Sequence, residues 1–148
     1  MITGENAGTV TLTYTFTNAN GCTSAVSTNF TVNALPTAAI TANGPIVVYR
    51  DRSSEEIRDM SIVRFVNGEW TQPKTIFPDE WKIAGCPVNG PRADAVGNNL
   101  AIAWFSMKDK NAEVKIIFST DGGATFQQPI RIDEGKAIGR VDIVMLDK

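Results

Sequence analysis

The amino-acid sequence predicts an all-β chain, and three observations carry that expectation. Apolar and β-branched residues alternate with polar ones over short runs, as in Val10, Leu12, Tyr14 and Phe16 set among threonines. No long stretch shows the 3.6-residue period of an amphipathic helix. From Ile46 onward the chain repeats itself at a spacing of roughly 50 residues, with turn signals between its apolar runs.

Composition bounds what such a chain can be. At 148 residues, 43% apolar and 20% charged, it fits one ordinary domain or two very small ones, with enough apolar mass for a core. The net charge is −2 and the basic residues are scattered, so neither a nucleic acid nor an anionic membrane surface is an expected partner. No run reaches the ~18 apolar residues of a membrane span, so no membrane insertion is expected. "MITGENAG" lacks the basic and apolar regions of a signal peptide. The chain has no histidine, which removes Ser-His-Asp and Cys-His nucleophile systems and the commonest zinc ligand. No metal and no cofactor is expected. Cys22 and Cys86 are far apart and form no CxxC pair. Two separate, mostly buried thiols are expected in preference to a disulfide between them.

The first element is a hairpin. Residues 1–43 are dense in Thr, Ala and Asn, contain no Lys or Arg, and have Glu5 as their one acid. Val10 to Phe16, alternating with Thr9 to Thr17, reads as a half-buried antiparallel strand. "NANG" at 18–21 tolerates positive φ and reverses the chain, and a second strand covers roughly 24–32. Pro36 ends the module, because proline cannot donate to a ladder. "NFT" at Asn29 matches the glycosylation acceptor pattern and is read as a chance match within a strand. "TYTFTNANGCTSAVSTNFTVNALPT" resembles the closing half of the Ig-like repeats of large surface adhesins from Bacteroidetes-type bacteria. That resemblance implies a cell-surface or extracellular home and an upstream partner for Cys22.

The remaining elements come in repeated pairs. "WTQPKTI" at 70–76 aligns with "FQQPIRI" at 126–132, "IVVYR" at 46–50 with "AIAWF" at 101–105, and "RADAV" at 92–96 with "RVDIV" at 140–144. Strands are expected at 46–50, 59–66, 73–77, 92–96, 100–105, 113–118, 128–132 and 140–146. "SSEEIRD" at 53–59 is expected to be a hairpin loop and not a helical turn. Periods near 40 to 50 residues, with about four strands per unit, are the mark of propeller blades.

"STDGGATF" carries Ser119, Asp121, Gly123, Thr125 and Phe126 in a Ser-x-Asp-x-Gly-x-Thr-aromatic spacing. Glycines here can take positive φ, and Asp121 can accept from nearby amides. Ser119 and Thr125 offer hydroxyls across the hairpin mouth, and Phe126 can pack beneath. This is the chemistry of a turn lock. The stretch resembles the Asp box, or bacterial neuraminidase repeat, of sialidase-type propellers. "VNGEW" at 66–70 reads as a degenerate copy of the same turn. The long run from Val47 through "PIRIDEGKAIGRVDI" is similar to the middle of bacterial exo-sialidase-like proteins. The expected organisation is therefore a partial Ig-like module at 1–43 and about two sialidase-like blades at 44–148.

That resemblance implies a glycan as partner, an arginine clamp for a substrate carboxylate, a Tyr nucleophile with a Glu, and an Asp acid/base. The candidate substrate-binding residues are Arg50, Asp51, Arg52, Arg92, Asp94, Arg140 and Asp142. Arg92–Asp94 and Arg140–Asp142 occupy matching positions, and i, i+2 spacing puts each pair on one strand face. Structural ion pairing between blades is the preferred reading of these pairs. Tyr49 is expected in the core and the 50–59 charges on a solvated loop. No complete Tyr–Glu–Asp–triple-Arg set can be assigned. A propeller closes with at least four blades, so the chain is expected to be a part, inactive alone. Open strand edges are expected to invite self-association.

Overall fold

The structure, a computed structural model, describes residues 8–32, 36–85 and 87–146. These residues are all-β, every ladder is antiparallel, and the sole helical feature among them is a 3-10 turn at Lys108–Lys110.

Strands β1 (Gly8–Thr17) and β2 (Thr23–Val32) form a two-stranded hairpin with Gly8 opposite Val32 and Thr17 opposite Thr23. The Asn18 carboxamide holds the connection by accepting from the amides of Asn20 (3.0 Å) and Cys22 (2.9 Å), while Gly21 takes φ 80°. One face is a run of side-chain hydrogen bonds: Thr9–Thr31, Thr11–Asn29, Thr13–Ser27 and Thr17–Thr23. Leu12, half-buried, and Val10, Tyr14, Phe16, Val26 and Phe30, all exposed, fall on the other face. Period two therefore gathers the hydrocarbon on one face, with Ser24 and Thr28 among it, and that face is largely exposed where the sequence suggested half-burial. Cys22 sits at the tip of this hairpin as an exposed free thiol, which corrects the expectation that it is buried. Its proposed alternative partner, Cys86, lies outside the described residues.

Two further sheets among the described residues share one connectivity. In the first, β3 (Thr37–Thr41), β4 (Gly44–Arg50) and β5 (Met60–Val66) run side by side, and β6 (Glu69–Trp70) and β7 (Lys74–Phe77) both pair with β5. In the second, β8 (Arg92–Val96), β9 (Asn99–Ser106), β10 (Glu113–Ser119) and β11 (Ile130–Arg131) follow in order. The registers coincide. Thr37 faces Val48 and Arg92 faces Ala103, each 55 residues further on (92 − 37 and 103 − 48). Tyr49 faces Ser61 as Trp104 faces Lys115, and Ser61 faces Thr75 as Lys115 faces Arg131.

The aromatic-x-x-Pro repeat marks one place in both sheets. Thr71, after Trp70, donates its amide to the Arg64 carbonyl, and Gln127, after Phe126, donates to that of Phe118. Pro73 and Pro129 stand just before the outer strands, where a missing N–H costs no ladder bond. The two aromatics differ in burial: Phe126 packs against the core, whereas Trp70 is half exposed and meets Phe65 edge-on at 5.3 Å.

Both sheets bury one face in a shared core. Ile46, Val48, Met60, Ile62 and Ile76 come from the first and Leu100, Ile102, Trp104 and Ile117 from the second. The first strands β3 and β8 lie side by side, and the Ala42 amide donates to the Gly97 carbonyl at 2.8 Å. The composition change near residue 43 falls in the β3–β4 turn, so 37–41 belong to the ladder of the first sheet.

One expected strand is absent. Residues 140–146 run along β8 with strand-like alternation of exposure but join no ladder. Asp142 reaches Arg92 at 4.0 Å and the Met145 amide donates to Asp94 at 2.8 Å, so the segment runs parallel to β8. Its residues have strand propensity, but none of the described residues supplies the backbone partner that a strand requires. The loop reading of 53–59 agrees with the structure: Ser53 Oγ accepts from the Ile57 amide, and Ile57 bridges Lys82.

Candidate functional site

The 119–126 turn, whose spacing resembles an Asp box, connects β10 to β11. Gly122 and Gly123 take φ 69° and 84°. Asp121 accepts from Thr125 Oγ1 (2.6 Å), the Thr125 amide (2.9 Å) and Ser119 Oγ (2.8 Å), while Ser119 Oγ accepts from the Gly123 amide (2.9 Å). The Thr125 hydroxyl and amide, with the Ser119 hydroxyl, hold the Asp121 carboxyl well below the usual carboxylate range. Ser119, Asp121, Gly123 and Thr125 thus close the turn on itself, and Phe126 packs against the core.

The turn also joins the two sheets. The Gly122 amide donates to the Asn98 carbonyl at 2.9 Å, and Lys74 Nζ reaches the Ala124 carbonyl at 2.7 Å. A Cβ on Gly123 would lie 2.8 Å from Ile62 Cδ1 and 3.2 Å from Leu100 Cδ2, one residue from each sheet. Gly123 is therefore where the box turn presses into the joint core.

The candidate binding charges gather at the opposite end. The β3–β4 turn, the β8–β9 turn and the box meet at one end of the sheets. Arg50 closes β4 and Arg92 opens β8, which puts both at the other end. The parallel course of 140–146 carries Arg140 past that same end.

These charges are engaged in different ways. The Arg50 guanidinium is part-buried and donates to the carbonyls of Asn89 (3.0 Å), Arg58 (2.8 Å) and Phe105 (2.6 Å), with Trp81 beneath it at 4.9 Å. It braces the long loops against β9. Asp51 accepts from the Arg52 amide (2.7 Å) and Ser61 Oγ (3.1 Å). Arg52 pairs with Glu56, which also holds Arg58 at 2.8 Å, so both cations of the 51–59 loop share one carboxylate. Asp94 accepts from the amides of Ala95 and Met145, and Asp142 from that of Ile143. Arg92 meets Asp142 at 4.0 Å with both side chains exposed, which is a cross-segment contact of small energetic weight. Arg140 is exposed. Tyr49 is half-buried, and burial followed by the Asp51 charge raises its pKa.

A second polar constellation was not anticipated. Asp79 is buried and accepts from Trp104 Nε1 at 2.5 Å and Lys115 Nζ at 2.6 Å. Lys115 continues to Glu113 (3.1 Å), Glu113 to Arg131 (3.1 Å), and Arg131 to Asp133 (2.9 Å). Burial works against the Lys115 ammonium, but its bonds to Asp79 and Glu113 outweigh it and raise the pKa. The Arg131 guanidinium and the Val114 amide hold Asp133 well below the carboxylate range. The Asp133 turn had a signal in "DEG": an Asp followed two residues on by Gly, whose amide the carboxylate caps at 2.7 Å. Asp79 had none, because its partners lie 25 and 36 residues away.

Among the described residues, no group of three or more Cys, Asp or Glu is placed to hold a metal ion. No helix of the described residues is long and apolar enough to cross a membrane. No family model, no curated protein and no solved structure matches the chain.

Proposed function

We propose that the chain is a unit of a sialidase-like, glycan-directed β-propeller of the cell surface or extracellular space, and that it contributes binding surface without turnover of its own. The observation that carries this reading is the pair of sheets with one register, locked at the third-to-fourth connection by an Asp-box turn. Residues 37–66 with 74–77, and 92–131, are then two blades. The side-by-side first strands β3 and β8 correspond to the strands nearest a propeller axis. A ring closes when further sheets complete it.

The absence of turnover rests on the candidate residues. Arg50 donates to three backbone carbonyls, and burial with the Asp51 charge raises the Tyr49 pKa instead of lowering it toward a phenolate. The exposed glycan contact is Arg92 with Arg140 and Asp142 at the end opposite the box. A second reading, a surface adhesion module of Ig-like kind, draws on the uncharged threonine face of the β1–β2 hairpin. The experiment is hydrolysis of a fluorogenic sialoside together with NMR titration of sialyllactose. No hydrolysis, with shifts at Arg92 and Arg140 abolished by Arg92→Ala, is expected. Hydrolysis by the chain overturns the inactive reading, and shifts confined to 8–32 favour the adhesion module.

A further inference from the structure

We infer that the apolar face of the β1–β2 hairpin is a two-fold interface between two copies of this chain. The inference is independent of the propeller reading. Five side chains on that face, Val10, Tyr14, Phe16, Val26 and Phe30, are 44–67% exposed. At roughly 150–250 Å² for a large side chain, about 500–600 Å² of hydrocarbon faces water per copy. A lone hairpin with one such face is marginal, and a patch of this size on a monomer marks an interaction site. Two copies together hide about 1,100 Å², just past the ~1,000 Å² at which a specific interface is credible.

A second copy is the occupant because the face complements itself. The register sets Val10 across from Phe30, Leu12 from Thr28, Tyr14 from Val26 and Phe16 from Ser24. A two-fold axis parallel to the strands stacks β1 of one copy on β2 of the other at equal height. Phe16 then covers Ser24, Tyr14 covers Val26, Leu12 covers Thr28 and Val10 covers Phe30. Large lies over small in each layer, as dense packing between sheets requires. Residues 8–32 contain no Asp, Glu, Lys or Arg, so the stacked faces bury no charge and meet no repulsion. The polar face is already paired within the hairpin and stays in water. The same axis brings the two hairpin tips, each with an exposed Cys22, to one end of the interface.

The test is sedimentation velocity of the full chain from 1 to 100 μM, with Cys22 cross-linking by a short bismaleimide in a Cys86→Ala background. A concentration-dependent dimer that cross-links through Cys22 is expected. The double variant Tyr14→Thr/Phe16→Thr, and separately Val26→Lys, should weaken dimerisation at least tenfold. Both should leave tryptophan fluorescence and its unfolding midpoint unchanged, and since Trp70, Trp81 and Trp104 all lie outside the hairpin this shows that the two larger sheets stay folded. Ile138→Ser, on the other exposed apolar stretch, should leave the dimer intact. A monomer at 100 μM, a dimer that survives both hairpin variants, or a dimer lost in Ile138→Ser overturns the inference.

Discussion

Asp121 gathers three hydrogen bonds from within its own turn, and this makes its removal specific in effect. Asp121→Ala leaves the Thr125 amide and two hydroxyls to find water at a partly exposed site. The expected cost is about 1 kcal/mol, below the ~1.5–3 kcal/mol of bonds to a charged acceptor because water reaches the freed groups. Acid should remove the same stabilisation. The folded-state pKa values of Asp121 and Asp133 are depressed, so their contribution is present above the unfolded value near 3.8 and is lost as pH falls below it. Asp59 acts oppositely: burial raises its pKa, so protonation relieves a cost and offsets part of the loss. Urea midpoints between pH 7 and pH 2.5 should fall, with a shallower fall in Asp121→Asn; parallel curves would remove Asp121 from the account. Gly123→Ala should cost about 2 kcal/mol, since the new methyl meets Ile62 and Leu100 in a backbone conformation disfavoured for alanine. The internal bonds of the box were legible because they join residues within a few positions. Its pressure on Ile62 and Leu100 was not legible, because nothing local specifies what lies beneath a turn.

At the scale of elements, propensity and pairing separate. β8 and residues 140–146 share the Arg-x-Asp pattern and the same alternation, yet only β8 has a ladder, through its register with β9. The repeat was readable because hydrophobic period and turn chemistry are properties of a segment. The existence of a partner strand is not, and so 140–146 was expected as a strand. The converse holds for β3: threonine and alanine tied 37–41 to the hairpin by composition, while pairing with β4 decides their place. Hydrogen exchange should display the contrast. Amides of 100–103, in a strand stretch paired on both sides, should be among the slowest in the chain. Those of 141–146 should exchange quickly, Met145 excepted through its bond to Asp94. Asp94→Ala should bring Met145 to the rate of its neighbours; slow exchange across 141–146 would mean a ladder exists there.

For the molecule as a whole, the deciding question is whether two sheets of like design are two folding units or one. Their shared core argues for one, and Asp79 sharpens the argument. It follows β7 of the first sheet but satisfies Trp104 and Lys115 of the second. Its carboxylate is almost wholly removed from water, so Asp79→Ala leaves the indole N–H without its acceptor and the part-buried ammonium with Glu113 alone. Leaving a buried charge uncompensated costs about 3–5 kcal/mol, and the bond that Lys115 keeps to Glu113 puts this case at or below the low end, whereas replacing both members by hydrocarbon of similar volume can be nearly neutral. Asp79→Leu combined with Lys115→Met should therefore recover much of what Asp79→Ala loses, and the double-mutant cycle measures the coupling. If the sheets unfold as one unit, Asp79→Ala lowers the opening free energy of β4 and β5 amides as much as those of β9 and β10, and tryptophan fluorescence follows the same transition. Destabilisation confined to β9 and β10 would show the sheets to be separable, and the joint core would then be a contact between two domains.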